Sequence, residues 1–307
     1  MTLSARRVRV ATRGSALARW QASRVAELVR VDHPEAEVEL VVVETSGDRR
    51  LDVPIWELGG KGVFVKEVQA AVLDGRADVA VHSAKDLPAV THEDLVIACV
   101  PTRADPRDAL VGSTLDQLAP GALVATGSVR RRAQLANRRP DLTFAGLRGN
   151  IDTRLGRAGE FGAIVMAAAA LERLDRTDQI AELLEPSVML PQVGQGALAV
   201  ECRRDDDALR ALLGTFEHPA SRLALEAERG FLAELGGDCD LPAAAHATVS
   251  GRDQRVSVEG LIASLDGHVV LRHAAAGEVA PDGPEQLGRQ VARYLLDDAG
   301  GAALLDR

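Results

Sequence analysis

Lysine is almost missing from this chain. Only Lys61, Lys66 and Lys85 occur among 36 basic residues, and all the others are Arg. An ammonium is a compact charge that can give up its proton, which a guanidinium is not. The three lysines lie close together in sequence and so mark a region that uses ammonium groups. Aromatics make up 3% of the chain, so its cores must be filled by Ala, Val and Leu; hydrophobic residues reach 46%, which is enough for full cores. The three cysteines, Cys99, Cys202 and Cys239, show no CxxC spacing. That excludes a disulfide framework and a zinc site, predicts no metal, and fits a reduced cytoplasmic protein. No apolar run is long enough to span a bilayer. The start, MTLSARRVRV, is basic but leads into no apolar segment, so no export signal is expected. A net positive charge is also absent: the formal charge is −9, which argues against nucleic acid as a partner.

What is present is an α/β pattern. With 307 residues, two or three domains are expected. Arg7 to Thr12 alternates like a strand. Ser15 to Val31 has apolar residues at helical spacing, with Leu17, Trp20, Val25 and Leu28 as the buried stripe. Strands are predicted at Glu37 to Val43, Val79 to Val81 and Leu95 to Val100, and a helix at Phe64 to Leu73. The pattern restarts near Pro106, with strands at Leu123 to Ala125, Leu142 to Leu147 and Ala163 to Met166. Helices follow them at Arg130 to Asn137, Ile151 to Ala158 and Ala167 to Leu174. This alternation predicts mostly parallel sheets with helices on both faces. From Pro219 the character changes to α+β. A helix at Arg222 to Leu235 precedes strands at Ala243 to Val249, Arg255 to Ser264 and His268 to Ala274, and a helix at Pro284 to Asp297. Asp266-Gly267 is a hairpin signal between the last two strands.

The stretch Asp78-Val-Ala-Val-His-Ser-Ala-Lys-Asp-Leu-Pro88 combines a buried strand with polar groups at its C-terminal end. Open α/β sheets present ligand-binding and catalytic groups in that way, although an ordinary strand-to-turn junction reads the same. Asp86, placed directly after the strand, can stay ionised among cations, stabilise a developing positive charge or pass protons. Arginines recur in loops of small residues between a strand and a helix. Arg13 lies in Thr-Arg-Gly-Ser, Arg130 and Arg131 follow Thr126-Gly-Ser128, and Arg148 lies in Leu-Arg-Gly-Asn with Arg154 in the next helix. Arg173 ends another helix. Helix N-terminal N–H groups, hydroxyls and guanidiniums together suit a ligand with several carboxylates or phosphates. No loop has the GxxxxGK[ST] spacing of a nucleotide phosphate site. Cys99 and Cys202 lie in apolar strands and read as core. Cys239 lies in a loop, Leu-Gly-Gly-Asp-Cys-Asp, where a thiol can be a nucleophile or an attachment point.

Seven stretches, in order, resemble the porphobilinogen deaminase family. They are Ala-Thr-Arg-Gly-Ser-Ala-Leu-Ala near the start, Gly-Gly-Lys-Gly-Val-Phe-Val-Lys-Glu from Gly59, the Asp78 to Pro88 stretch, Asp105-Pro-Arg-Asp-Ala, Thr126 to Leu135, Leu147 to Leu155, and Leu190 to Glu201. The resemblance implies three domains, the first two similar to the lobes of a type II periplasmic binding protein. Domain 1 would be 1–102 with 197–218, domain 2 would be 103–196, and domain 3 would be 219–307. It implies a head-to-tail condensation of four porphobilinogen molecules to hydroxymethylbilane, with loss of ammonia. It also implies a dipyrromethane cofactor in thioether linkage to Cys239. Asp86 matches the catalytic aspartate. Ser83, Lys85, Thr126, Ser128, Arg130, Arg131, Arg148 and Gly149 match residues that hold the cofactor. Arg13, Ser15, Arg154, Arg173 and Gln195 match residues on the substrate side. The partners implied are porphobilinogen and the growing polypyrrole, with no nucleic acid and no membrane, and the family suggests a monomer. One departure is Asp238, a negative charge beside the attachment thiol where the family has Gly. The competing reading is a two-lobed anion-binding protein without catalysis, which would need neither Asp86 nor Cys239.

Overall fold

The computed structural model describes residues 7–44, 65–236, 241–251, 255–279 and 283–305. Lys61, Asp238 and Cys239 lie outside them. The chain forms two compact units, 1–103 with 197–222, and 104–196 with 223–307.

The first unit holds a five-stranded sheet. In chain order its strands are β1 (Arg7–Arg13), β2 (Glu37–Val43), β3 (Val79–Ser83), β4 (Leu95–Cys99) and β10 (Leu198–Arg203), arranged β2-β1-β3-β10-β4. β1 pairs in parallel with β2 and β3, and β10 runs antiparallel to both of its neighbours. Four strands therefore share a direction, as the alternation predicts, and the fifth is reversed. Val79 to Val81 is buried on both faces of the sheet, which is why it reads as a continuous apolar run. The helix Ala16–Asp32 packs on the sheet through Ala22, Val25, Ala26 and Val29. The buried stripe is therefore rotated from the predicted one. Trp20 is 38% exposed, and the small Ala22 and Ala26 lie against the strands instead. Cys99 and Cys202 are core residues, as expected, and burial pushes the Cys99 thiol well up.

The second unit repeats the arrangement with β5 (Asp108–Val111), β6 (Leu123–Ala125), β7 (Thr143–Ala145), β8 (Ala163–Ala167) and β9 (Ile180–Leu184), ordered β7-β6-β8-β5-β9. Here β5 is the reversed strand. In both sheets the reversed strand comes just after the chain has passed from one unit to the other, at 103–104 and 196–197. The chain enters each sheet from the end at which the parallel strands stop. β5, β9 and the helix Asp207–Gly214 were not predicted. The two strands are short, whereas the helix carried a legible signal in Leu209, Leu212 and Leu213 at helical spacing behind the Asp206 cap.

The rest of the second unit is a small antiparallel meander, β11 (Ala243–Ser250), β12 (Arg255–Ala263) and β13 (Val270–Glu278). The helices Pro219–Glu234 and Gly283–Arg293 supply Phe231, Ala227, Val291 and Ala292 to its core. The hairpin falls at Asp266-Gly267 as predicted, with Gly267 at φ +78. His268 belongs to the turn and not to the strand, because its backbone N–H donates to the Asp266 carboxylate at 3.0 Å. The helix predicted at Pro284 to Asp297 is α-helical to Arg293 and passes at Tyr294 into a wider π turn that runs to Asp298, and a short helix, Ala302–Leu305, follows.

Candidate functional site

In the first unit, β1 and β3 are parallel neighbours, so Arg13 and Ser83 emerge at the same edge of the sheet. Ser15 caps the helix that follows β1, its hydroxyl accepting from the Ala18 N–H at 3.3 Å. After Ser83 the chain makes one tight turn, Ala84–Asp86, closed by Leu87 N–H donating to the Ala84 carbonyl at 3.2 Å. The Ala84 N–H donates to the Ala197 carbonyl at 3.0 Å, which ties the turn to the start of β10. Lys85 and Asp86 are half-buried on this turn. A small cavity of about 60 Å³ is lined by Arg13, Ser15, Gln21, His82, Ser83 and Asp86. Gln21 was missed by the sequence reading. It is 3% exposed, and its amide donates to Ser83 Oγ at 2.7 Å. The available signal was its spacing: Gln21 is a polar residue four after Leu17 and four before Val25, inside an apolar stripe.

In the second unit, β6, β7 and β8 end at one edge of the sheet, and β5 begins there, with Asp108 opposite Ala167. Thr126 and Ser128 form the loop after β6. Ser128 N–H donates to Thr126 Oγ1 at 3.1 Å, and Ser128 Oγ caps the helix Val129–Arg138. Gly127 is needed here, because a Cβ at that position would sit 2.8 Å from the Leu147 carbonyl oxygen. Arg148 and Gly149 follow β7. Arg154 Nε donates to the Gly149 carbonyl at 2.8 Å, and Gly149 has φ +110. Arg173 ends the helix after β8 and donates to the Gly196 carbonyl at 2.6 Å. Burial lowers Arg173 to about 10, so it remains charged at neutral pH.

Beside these lies a buried cluster that the sequence reading only half foresaw. Arg130 and Arg131 are 2% and 6% exposed. Both pair with Asp108, which is fully buried, at 2.8 Å. Gln195 donates to the same carboxylate at 2.9 Å and to the Pro106 carbonyl at 2.7 Å. Arg131 also donates to the Val165 carbonyl at 2.9 Å, and Arg130 to the Leu190 carbonyl at 2.7 Å. Burial pushes Asp108 up, but the two guanidiniums outweigh it and hold its carboxyl down at about 2. Asp108 carried no predicted role, although it stands in the Asp105-Pro-Arg-Asp108 stretch. With two cations and one anion, the cluster keeps a net positive charge away from water. Arg130 Nε and Nη2 are buried and have no hydrogen-bond partner among the described residues. Buried donors of that kind are costly unless an acceptor arrives, and a carboxylate is the acceptor that matches a guanidinium edge. The residues present therefore fit a bound polycarboxylate such as a dipyrromethane.

The predicted residues thus gather at one sheet edge within each unit. Cys239 lies outside the described residues. Among the described residues no cluster suited to a metal ion is found, and no helix is long and apolar enough to cross a membrane.

Residues 8–211 match the family model described as porphobilinogen deaminase, dipyromethane cofactor binding domain, and residues 222–297 match the porphobilinogen deaminase C-terminal domain. A porphobilinogen deaminase of Nitratidesulfovibrio vulgaris (strain DSM 19637 / Miyazaki F) is 47% identical over 304 residues, covering 97% of this chain and 96% of the relative. One of Syntrophotalea carbinolica is 45% identical, covering 96% and 94%. One of Bacillus subtilis (strain 168) is 42% identical, covering 98% and 96%.

Proposed function

Since this chain belongs to the porphobilinogen deaminase family, we propose how its own residues divide the work. The reaction joins four porphobilinogen molecules head to tail into hydroxymethylbilane and releases ammonia. The reading as an anion receptor without chemistry finds no support in these matches. When bound, the dipyrromethane supplies the pyrrole carbon from which the chain grows.

In this division the second unit holds and the first unit reacts. Arg130 grips a cofactor carboxylate with the two donors that lack a partner among the described residues, and that observation carries the proposal. Arg131 is spent on Asp108, Val165 and Gln195 and stiffens the site around its neighbour. The Thr126–Ser128 loop, Arg148 and Gly149 add donors to the cofactor, and the Cys239 thiol is its attachment point. Arg13, Ser15, Arg154, Arg173 and Gln195 serve the substrate side, with Arg173 and Gln195 working in part through the Gly196 and Pro106 carbonyls. Each charge-assisted bond of this kind contributes about 1.5–3 kcal/mol.

Asp86 stands at the mouth of a buried strand, in a cavity shared with Arg13 and Ser83. Its carboxylate stabilises the positive charge that develops on the substrate as ammonia departs, and it can accept the proton released at the new carbon–carbon bond. Ser83 and Lys85 fix the turn and balance that charge. The family suggests a monomer, and the cysteine pattern suggests the cytoplasm. The test is porphobilinogen consumption by Asp86→Ala. A folded variant with turnover lowered by at least about a thousand-fold is expected from the loss of such a group. Ordinary turnover would refute the role.

A further inference from the structure

Glu201 is a fully buried carboxylate that the reaction as described does not use. It lies on β10 opposite Ala80 of β3, and His82 is two residues further along β3 on the same face of the sheet. The two side chains are therefore diagonal cross-strand neighbours. His82 Nε2 lies 3.0 Å from Glu201 Oε2, a close approach without hydrogen-bond geometry, and both side chains are at most 3% exposed. From above that face, the Gln69 amide of the helix Lys66–Leu73 donates to the same oxygen at 2.9 Å. His82 is the only histidine among the described residues that is buried. It also lines the cavity that holds Arg13, Ser83 and Asp86.

A carboxylate with no access to water is very costly unless it is paired and hydrogen-bonded. An apolar pair would fill the same volume more cheaply, so stability alone does not explain why two titratable groups stand here. Their position does. The turn with Ser83, Lys85 and Asp86 starts at the residue after His82, and its backbone is tied to β10 at Ala197. The His82–Glu201 contact ties the same two strands by side chains, directly behind the turn. The contact lies beneath the cavity that Asp86 lines, at the point where the turn leaves the sheet.

We infer that His82 and Glu201 act as a buried positioning dyad that sets the placement of Asp86 for each condensation. They act through Ser83 and Asp86 and are not themselves catalytic residues. This inference rests on the role proposed for Asp86.

The test compares Glu201→Gln, His82→Gln, their double variant and Asp86→Ala, each purified with its cofactor and characterised by intact mass, melting temperature, kcat and KM. Glu201→Gln keeps volume and a hydrogen-bonding end. The expected result is a fall in kcat of at least about ten-fold, with KM within two-fold and the cofactor mass unchanged. The double variant should be no worse than the poorer single variant, because the pair works as one unit. If Glu201→Gln does not fold, Glu201→Asp is read instead; it keeps the charge but withdraws it by one methylene, and a partial loss of kcat is expected. Wild-type kcat in the folded Gln or Asp variant overturns the inference, even if the melting temperature falls. So does a double variant in which the two losses multiply. An inactive Asp86→Ala beside a fully active Glu201→Gln sinks the dyad alone, whereas an active Asp86→Ala sinks the assignment beneath it.

Discussion

Replacing Asp108 by Asn tests the buried cluster of the second unit most sharply. The change keeps shape and removes one negative charge from between two guanidiniums that are 2% and 7% exposed at the side chain. Breaking a buried pair by removing one partner costs about 3–5 kcal/mol, because the other charge is left uncompensated. Linkage gives an independent figure. The carboxyl is held at about 2 in the fold against 3.8 unperturbed. At about 1.4 kcal/mol per pH unit, that gap corresponds to roughly 2–3 kcal/mol. The two routes agree on a loss near 3 kcal/mol. The sign follows from the depressed value. The contribution is fully present above pH 3.8 and is lost as the pH falls through about 2. Urea unfolding of wild type and Asp108→Asn at several pH values should therefore show curves about 3 kcal/mol apart at pH 7 that converge between pH 4 and 2. Cofactor loading should fall with stability, because Arg130 and Arg131 lose the group that aims them. A variant within about 0.5 kcal/mol of wild type at pH 7, or curves that stay parallel down to pH 2, would refute the reasoning.

Other outcomes follow from single contacts. Gly196→Ala would place a Cβ 2.5 Å from the Ala104 carbonyl oxygen at φ +83. It should cost at least about 2 kcal/mol in denaturant unfolding and weaken the anchor of Arg173. Ser128→Ala removes the cap of the helix Val129–Arg138; a loss of about 1 kcal/mol is expected, with a measurable fall in cofactor loading. Gln21→Leu deletes the donor to Ser83 Oγ. Turnover should drop by several-fold without loss of fold, as read by porphobilinogen consumption and circular dichroism. Thiol labelling of the native protein should spare Cys99, whose thiol is buried and raised.

The fold was legible where burial on both faces wrote itself into the chain. Val79 to Val81 read as a strand because every side chain there is inside. The loops at Thr126 and Leu147 read as anion sites because helix starts, hydroxyls and arginines coincide in sequence. Asp108 escaped notice because its role is made by distance. It opens a four-residue strand that enters the sheet in reverse, and its partners are 22, 23 and 87 residues away. Glu201 escaped for the same reason, since a carboxylate in an apolar run gives no hint that His82 faces it across the sheet. Trp20 misled because its size suggests core, while alanines on the next face let the helix lie closer to the strands.

The most direct measurement is the intact mass of the purified wild type beside Cys239→Ser and Arg130→Gln. The wild type should be heavier than its sequence by one dipyrromethane, Cys239→Ser should match its bare sequence, and Arg130→Gln should be loaded to a small fraction at most. A fully loaded Arg130→Gln, or a wild type with no added mass and full activity, would contradict the assignment of the second unit as the holder of the cofactor.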